Sequence, residues 1–323
     1  MPDAESGSQT APVPPVDVSV VVPVYNAART LPACVDAVLL QEYAGRFESV
    51  FVDNGSTDGS LELLRSYEPR ILVCEESRRG PSAARNRGAR EAHFELLAFT
   101  DADCVPTPHW LSSLVRAHSE SPGATLVGGP ILAWRAERFA ARFAERLFDQ
   151  ERAINAKRLP YVISANLCVY RSLLSEAGMF DETLMTGEDV DLSYRMQAMG
   201  PGRFVFAEDA IVEHANPDSL GAIVRKGIQH GRTVGRLADR HSDIRGETAM
   251  ARLLRGQRYV RIASRLATLP LAAWRRLSGA DERAEGEWLE GLYDAAFDGA
   301  KQLGVAAHVI ETRIGSSDRA PRT

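Results

Sequence analysis

The run Val18-Ser19-Val20-Val21-Val22-Pro23-Val24-Tyr25-Asn26 constrains this chain more than any other stretch. Its β-branched residues occupy both faces of a strand, so the strand has to be buried on both sides, as in a parallel sheet, and a turn closes it. The punctuation then repeats. A helix is predicted from about Ala28 to Gln41, and a second strand over Ser49 to Val52 runs into Asp53-Asn54-Gly55-Ser56-Thr57-Asp58. Asp58 is placed there to cap a helix around Leu61 to Tyr67. A third strand, Arg70 to Cys74, leads to a Gly/Pro turn over Gly80 to Gly88 that opens another helix, and Leu96 to Phe99 forms a fourth strand. Alternating strands and helices predict an open, mostly parallel α/β sheet flanked by helices.

In such sheets ligands bind beyond the carboxyl ends of the strands. Tyr25, Asn26, Asp53, the turn carrying Arg85, and Thr100-Asp101-Ala102-Asp103 therefore converge on one edge. Asp101 and Asp103 flank one small residue, and on extended chain positions i and i+2 point the same way. Two carboxylates at a strand mouth suit a hard divalent cation such as Mg2+ or Mn2+, although an isolated Asp-x-Asp is more often a turn or a cap. Further on, Thr186-Gly187-Glu188-Asp189-Val190-Asp191-Leu192 opens a helix running to about Met199. The helix N-terminus favours charged carboxylates there. Asp191 points about 200° away from Asp189 and reads as structural.

Taken together, Val18 to Asn26, Val52 to Asp58, Gly80 to Gly88, Thr100 to Asp103 and Thr186 to Leu192 resemble the family 2 inverting glycosyltransferases of the GT-A type nucleotide-sugar fold. The resemblance covers about Asp17 to Ala215. It implies a Rossmann-like nucleotide-binding half and a donor that is a nucleoside-diphosphate sugar, with a lean to UDP. It also implies roles. Asp53 would contact the nucleobase, Pro23 to Tyr25 would frame base and ribose, with Asn26 beside them, and Arg85 would lie beside the diphosphate. Asp101 would sit near ribose or metal, Asp103 would ligate Mn2+ or Mg2+, and Asp189, paired with Glu188, would be the general base.

That division of roles is chemically coherent. The departing diphosphate needs its charge neutralised, and inversion needs one carboxylate to take the acceptor hydroxyl's proton. Asn166 reads either as a hydrogen-bond partner of donor or acceptor hydroxyls or as a group that satisfies turn backbone. His214 is a third metal ligand or a structural histidine. His230 and Arg232 close over the diphosphate or lie on a solvated helix face. A nucleotidyltransferase is the enzymatic alternative, disfavoured because Gly80 to Gly88 holds no lysine. A catalytically inactive sugar-nucleotide-binding protein is the other, disfavoured by intact Asp103 and Asp189.

The net charge of −5 gives no basis for nucleic-acid binding. Cys34, Cys74, Cys104 and Cys168 are far apart and form no Cys-x-x-Cys pair, which fits a reducing cytoplasm. The expected division is a disordered tail over 1–16, a catalytic domain over 17–217 and a helical extension over 218–323. Between Arg225 and Arg276 the extension carries thirteen Lys/Arg against three Asp/Glu, and the stretch from Asp281 to Asp298 is acidic. No apolar run reaches the ~18 to 20 residues of a membrane span. The stripe Tyr259, Ile262, Leu266 would pack on the catalytic domain or a second subunit of a homodimer, or else lie on the inner face of an anionic membrane beside a lipid-linked acceptor.

Overall fold

A computed structural model describes residues 16–317, apart from 136–138, 201, 218, 247, 250 and 252–281. The predicted tail lies outside the described residues except for residue 16, and so does the stripe at Tyr259, Ile262 and Leu266. In chain order the elements are β1 (Val18–Val24), α1 (Leu31–Leu39), β2 (Phe47–Asp53), α2 (Ser60–Arg65), β3 (Leu72–Glu75), α3 (Pro81–Glu91), β4 (Leu96–Thr100) and β5 (Cys104–Pro106). There follow α4 (Trp110–Ser119), β6 (Ala124–Gly128), β7 (Ile131–Ala133), α5 (Phe139–Glu145), a 3-10 turn at Arg146–Phe148, α6 (Gln150–Ile154), β8 (Asn166–Tyr170) and α7 (Arg171–Glu176). The last are α8 (Glu188–Met199), β9 (Arg203–Phe206), β10 (Val212–His214), α9 (Leu220–Arg240), α10 (Ser242–Arg245) and α11 (Glu282–Ser317).

The main sheet has seven strands in the order β3-β2-β1-β4-β8-β6-β9. The β3-β2-β1-β4 half is all parallel, and β8 runs antiparallel between β4 and β6. Both faces are covered, as the valine run requires. Val18, Val20, Val22 and Val24 pack in one core with Leu31, Val35 and Trp110, while Val21 points through the sheet into a second core with Phe99, Phe180 and Leu192. Helix α1 starts at Leu31 rather than Ala28, because Ala27 to Thr30 form a turn held by side chains of the next loop. The amide of Ala27 donates to Ser60 Oγ (2.9 Å) and that of Ala28 to the Asp58 carboxylate (3.0 Å). Asp58 also accepts from the Ser60 amide (3.1 Å) and so joins two loops, but the residue that caps α2 is Gly59, whose φ of 88° favours glycine.

A second, three-stranded sheet, β5-β10-β7, has no counterpart in the sequence reading beyond the strand at Val212 to His214. Its register pairs Cys104 with His214, which carries the residues after Asp103 up against His214. The Ala215 amide closes the arrangement by donating to the Asp103 carbonyl (2.8 Å).

Beyond residue 217, Ser219 caps α9 by accepting from the Ala222 amide (3.3 Å). Helix α9 then has two seams. Gly227, Gly231 and Gly235 face α11, and at Gly231 a side chain would meet the Lys301 carbonyl oxygen at 2.0 Å, so only glycine permits this approach. Contacts advance together along both helices, from Gly227 with Ala300 to Gly235 with His308, so the pair is parallel. Arg232 to Glu311 (3.0 Å) and His308 to Asp239 (3.0 Å) add polar links. No helix among the described residues is long and apolar enough to cross a membrane.

Candidate active site

The carboxyl edge of β1, β2 and β4 opens on a cleft of about 820 Å³ lined, among others, by Tyr25, Arg85, Asp101, Asp103, Asp189 and Lys226. Its nucleotide-side rim is braced by side chains from successive loops. Asn26, at φ 49°, accepts from the Thr57 amide through its side-chain oxygen (2.8 Å). Asn54 accepts from the Gly80 amide (2.7 Å) and donates to the carbonyls of Glu76 and Arg78, which pins the turn before α3. Pro23 also lines the cleft. Tyr25 is 49% exposed, and the Arg79 guanidinium lies 4.2 Å from its ring centroid and bonds its hydroxyl. Asp53 is buried, and its neighbour Asn54 lines the cleft in its place. One carboxylate oxygen of Asp53 accepts from the amides of Gly55 (3.0 Å) and Ser56 (3.1 Å), while Oδ1 is buried without a partner.

Arg85, from α3, is 3% exposed and spans two acids. It donates to Asp101 Oδ1 (2.6 Å) at the end of β4 and to Glu188 Oε1 (2.6 Å) at the start of α8. Burial opposes its charge, yet Asp101 and Glu188 together hold the guanidinium above its ordinary pKa. Burial pushes the Glu188 carboxyl up to about 7 against the pull of Arg85. The sequence reading set Arg85 beside the diphosphate as a cation. The structure places Arg85 on the cleft wall with its guanidinium paired to two carboxylates. Glu188 is buried against that guanidinium and also lines the cleft.

Asp103 points differently. Its side chain is 44% exposed to the cleft, and its Oδ1 lies 3.7 Å from His214 Nε2. His214 Nδ1 lies 3.0 Å from Asn216 Oδ1, an acceptor. Nδ1 therefore donates to Asn216, and Nε2 is the ring nitrogen that faces Asp103. One ligand atom each from Asp103, Cys104 and His214 lies within 4.8 Å of the others. Burial, reinforced by Asp103 and Asp101, keeps the Cys104 thiol protonated, so carboxylate and imidazole are the available donors. An oxygen and an imidazole nitrogen are donors that a divalent cation can take. Desolvation at the cleft floor raises the Asp103 carboxyl, His214 opposing and Asp101 adding to it.

Asp189 stands one residue into α8, where Gly187 at φ 74° gives a left-handed entry to the helix. Its Oδ2 accepts from the Ser164 amide (3.2 Å) and its Oδ1 from its own helix's Val190 amide (2.7 Å). Each oxygen keeps a lone pair for a further donor. Burial raises the carboxyl's pKa and the Ser164 amide opposes that rise. Asp191, on the other side of α8, is fully buried between Arg195 (2.8 Å) and His241 (2.8 Å), the structural part read for it in the sequence.

The opposite wall is α9. Lys226, His230 and Thr233 recur at helical spacing and line the cleft. The Thr233 hydroxyl bonds that of Thr186, and Arg240 pairs with Asp181, so α9 is fastened to the loop that enters α8. Lys226 Nζ sits 3.8 Å from the Phe148 ring centroid, and that ring is 4.5 Å from the ring of His214. Burial pulls the Lys226 amine down to about 8, although Asp103 and Asp101 favour its charge. His230 is drawn down to about 4 by burial and by Lys301 and Lys226. Arg232 leaves the cleft for Glu311.

Pro23, Tyr25, Asn26, Arg85, Asp101, Asp103, Glu188 and Asp189 are thus brought together around one cleft, with His214 against Asp103. Asn166 is not. It is 0% exposed, accepts from Trp110 Nε1 (2.9 Å) and donates to the carbonyls of Pro130 (3.1 Å) and Ala210 (2.7 Å). Its amide satisfies backbone groups between the two sheets and has no capacity left for a sugar. Phe148, Arg79, Tyr161 and Lys226 line the cleft without having been singled out. Only Lys226 had a signal, the spacing 226, 230, 233, 237 beside the glycine stripe.

The model of glycosyl transferase family 2 matches residues 19–176. Glycosyltransferase AglE of Haloferax volcanii is 32% identical over 222 residues, which are 67% of this chain and 72% of that protein. The pre-mycofactocin glycosyltransferase of Mycobacterium tuberculosis is 29% identical over 293 residues, 85% of this chain but only 60% of the relative's length. In three dimensions the chain is similar to the mannosyltransferase PcManGT from Pyrobaculum calidifontis, solved in complex with GDP-Man and Mn2+. The TM-score is 0.62 at 21% identity, covering 94% of this chain and 91% of that one. The sheet architecture is that of the solved mannosyltransferase, and the chain belongs to glycosyl transferase family 2.

Proposed function

We propose that this glycosyltransferase moves a sugar from a nucleoside-diphosphate sugar to an acceptor hydroxyl with inversion at C1, and that it needs a divalent cation. One observation carries the reading: a single cleft holds Asp103, backed by the buried His214, and a separate carboxylate, Asp189, with lone pairs to spare. Asp189 takes the proton of the acceptor hydroxyl as its oxygen bonds to C1. The bond from C1 to the phosphate oxygen breaks, and the nucleoside diphosphate departs with that electron pair. Ser164 and the helix start hold the Asp189 carboxylate in place. Arg85 fixes Asp101 and Glu188, which sets the distance between the two ends of the cleft. When bound at Asp103 and His214, Mn2+ or Mg2+ supplies Lewis-acid neutralisation of the leaving diphosphate.

Tyr25 and the rim beside it hold the nucleoside, and Asp53, which the family resemblance sets against the base, holds the loop behind that rim through the amides of Gly55 and Ser56. Uracil is the base favoured from the family resemblance. The GDP-Man in the Pyrobaculum relative makes guanine the competitor to test. Thermal shift with UDP-, GDP- and dTDP-sugars, each with Mn2+ or with EDTA, identifies the donor, since a ligand at 100 times its Kd stabilises by about 2.7 kcal/mol. The anomeric configuration of the product then tests inversion. Retention at C1, or donor binding indifferent to EDTA, would overturn the corresponding half of the proposal.

A further inference from the structure

A nucleoside diphosphate brings more negative charge than one divalent cation cancels, and the arginine expected to help is already committed. Arg85 is buried between Asp101 and Glu188 and has no charge to lend. At the metal end of the cleft a different cation is present. Lys226 comes from α9, beyond residues 19–176 that match the family model. Its ammonium lines the cleft and rests on the face of Phe148, one ring away from His214. Among the described residues no carboxylate lies within 4.0 Å of it, although the charges of Asp103 and Asp101 act on it. A ring face is a weaker partner for an ammonium than a phosphate oxygen.

We propose that Lys226 is the residue that grips the terminal phosphate of the leaving nucleoside diphosphate, its ammonium moving from the Phe148 ring to a phosphate oxygen. The inference rests on the nucleotide-sugar reading given above. As the C1 to oxygen bond breaks, the electron pair settles on that phosphate, and Lys226 balances the new charge without giving up a proton. Phe148 holds the amine ready when the cleft carries no donor, and α11 backs the helix that presents it. A lysine suits this task because its ammonium is a compact point charge on a flexible stem.

Calorimetric titration with nucleoside diphosphates and monophosphates separates this role from general support of the cleft. UDP, UMP, GDP, GMP, dTDP and dTMP are titrated in Mn2+ into the unmodified chain, Lys226→Met, Lys226→Gln and Lys226→Arg, with thermal melts confirming folding. For the base that binds, diphosphate affinity should fall about 10- to 100-fold in Lys226→Met and Lys226→Gln, the range of one charged hydrogen bond. Monophosphate affinity should stay within about twofold, because the contact is to the terminal phosphate alone. Lys226→Arg should restore most of the loss. An unchanged ratio of diphosphate to monophosphate affinity in the neutral variants overturns the assignment. If the unmodified chain binds no nucleotide, the functional reading itself fails, which is a different result.

Discussion

Two charged groups share this cleft and are built in opposite ways. At one end Arg85, Asp101 and Glu188 form a closed set in which the guanidinium bridges both acids at 2.6 Å. At the other, Asp103, His214 and Lys226 stand near one another with contacts left open. The acid is 44% exposed, His214 turns Nε2 toward it, and the amine rests on an aromatic ring. A cluster whose charges are paired with one another fixes geometry and has less to offer a ligand, and an open one binds only because something else keeps it in place. Buried ion pairs are seldom strong contributors to stability, so the closed set is better understood as a spacer than as glue.

The comparison breaks first at Arg85. Arg85→Leu leaves two buried carboxylates facing each other and should cost about 3–5 kcal/mol, read as a fall in Tm or failure to fold. Adding Glu188→Gln to it should recover part of the loss, because one of the unpaired charges is then gone. A stability loss below about 1 kcal/mol for Arg85→Leu would erase the distinction between the two clusters.

Next in size is Asp189→Asn, which keeps the shape beside the closed set but cannot accept a proton. Its kcat should fall by about 10²- to 10⁴-fold while donor affinity, measured by calorimetry, stays the same. Glu188→Gln is expected to act through Arg85, so its deficit should appear in stability as well as rate. Full activity in Asp189→Asn would move the base elsewhere in the cleft.

The open end has a pH signature. His230 is held neutral, drawn from the usual 6.5 down to about 4 by burial and by two ammonium groups. Between these values the unfolded chain binds a proton that the folded chain refuses, so stability falls as pH drops through the window. The contribution is about 3 kcal/mol, complete above pH 6.5 and lost by pH 4. His230→Asn should flatten that part of a Tm against pH curve, and an identical slope in the variant would refute the account. The smallest expected change is in Asp103→Asn, whose exposed side chain should shift unliganded stability by no more than about 0.5 kcal/mol. What it should lose is the stabilisation by Mn2+ plus nucleotide. Retaining that response would remove Asp103 from the metal site.

Legibility followed the range of the forces involved. The valine run, the repeated strand-and-turn punctuation and the acidic start of α8 are local patterns, and the sheet edge with Asp101, Asp103 and Asp189 follows from them. The strands β5, β7 and β10 are three residues each, too short for any periodicity, and exist because they pair with one another. Asn166 offers the same residue type to a sugar or to a carbonyl, and a tryptophan 56 residues away decides between them. Arg85 lies on the cleft edge that the strand pattern marks out, but its partner Glu188 lies 103 positions downstream, beyond any local signal.

The placement of β8 bears on the order in which the molecule is built. Strands β3, β2, β1 and β4 can associate as soon as residue 100 is available, each with its helix at hand. The free edge of β4 is the fully buried segment Leu96–Thr100, and its partner is Asn166–Tyr170, some 66 residues later in the chain. During synthesis at about 5–20 residues per second, that apolar edge therefore stands open for several seconds, unpaired and competent to pair with a neighbouring chain. Poor recovery on overexpression should arise in this interval, and slower translation would lengthen the exposure rather than relieve it.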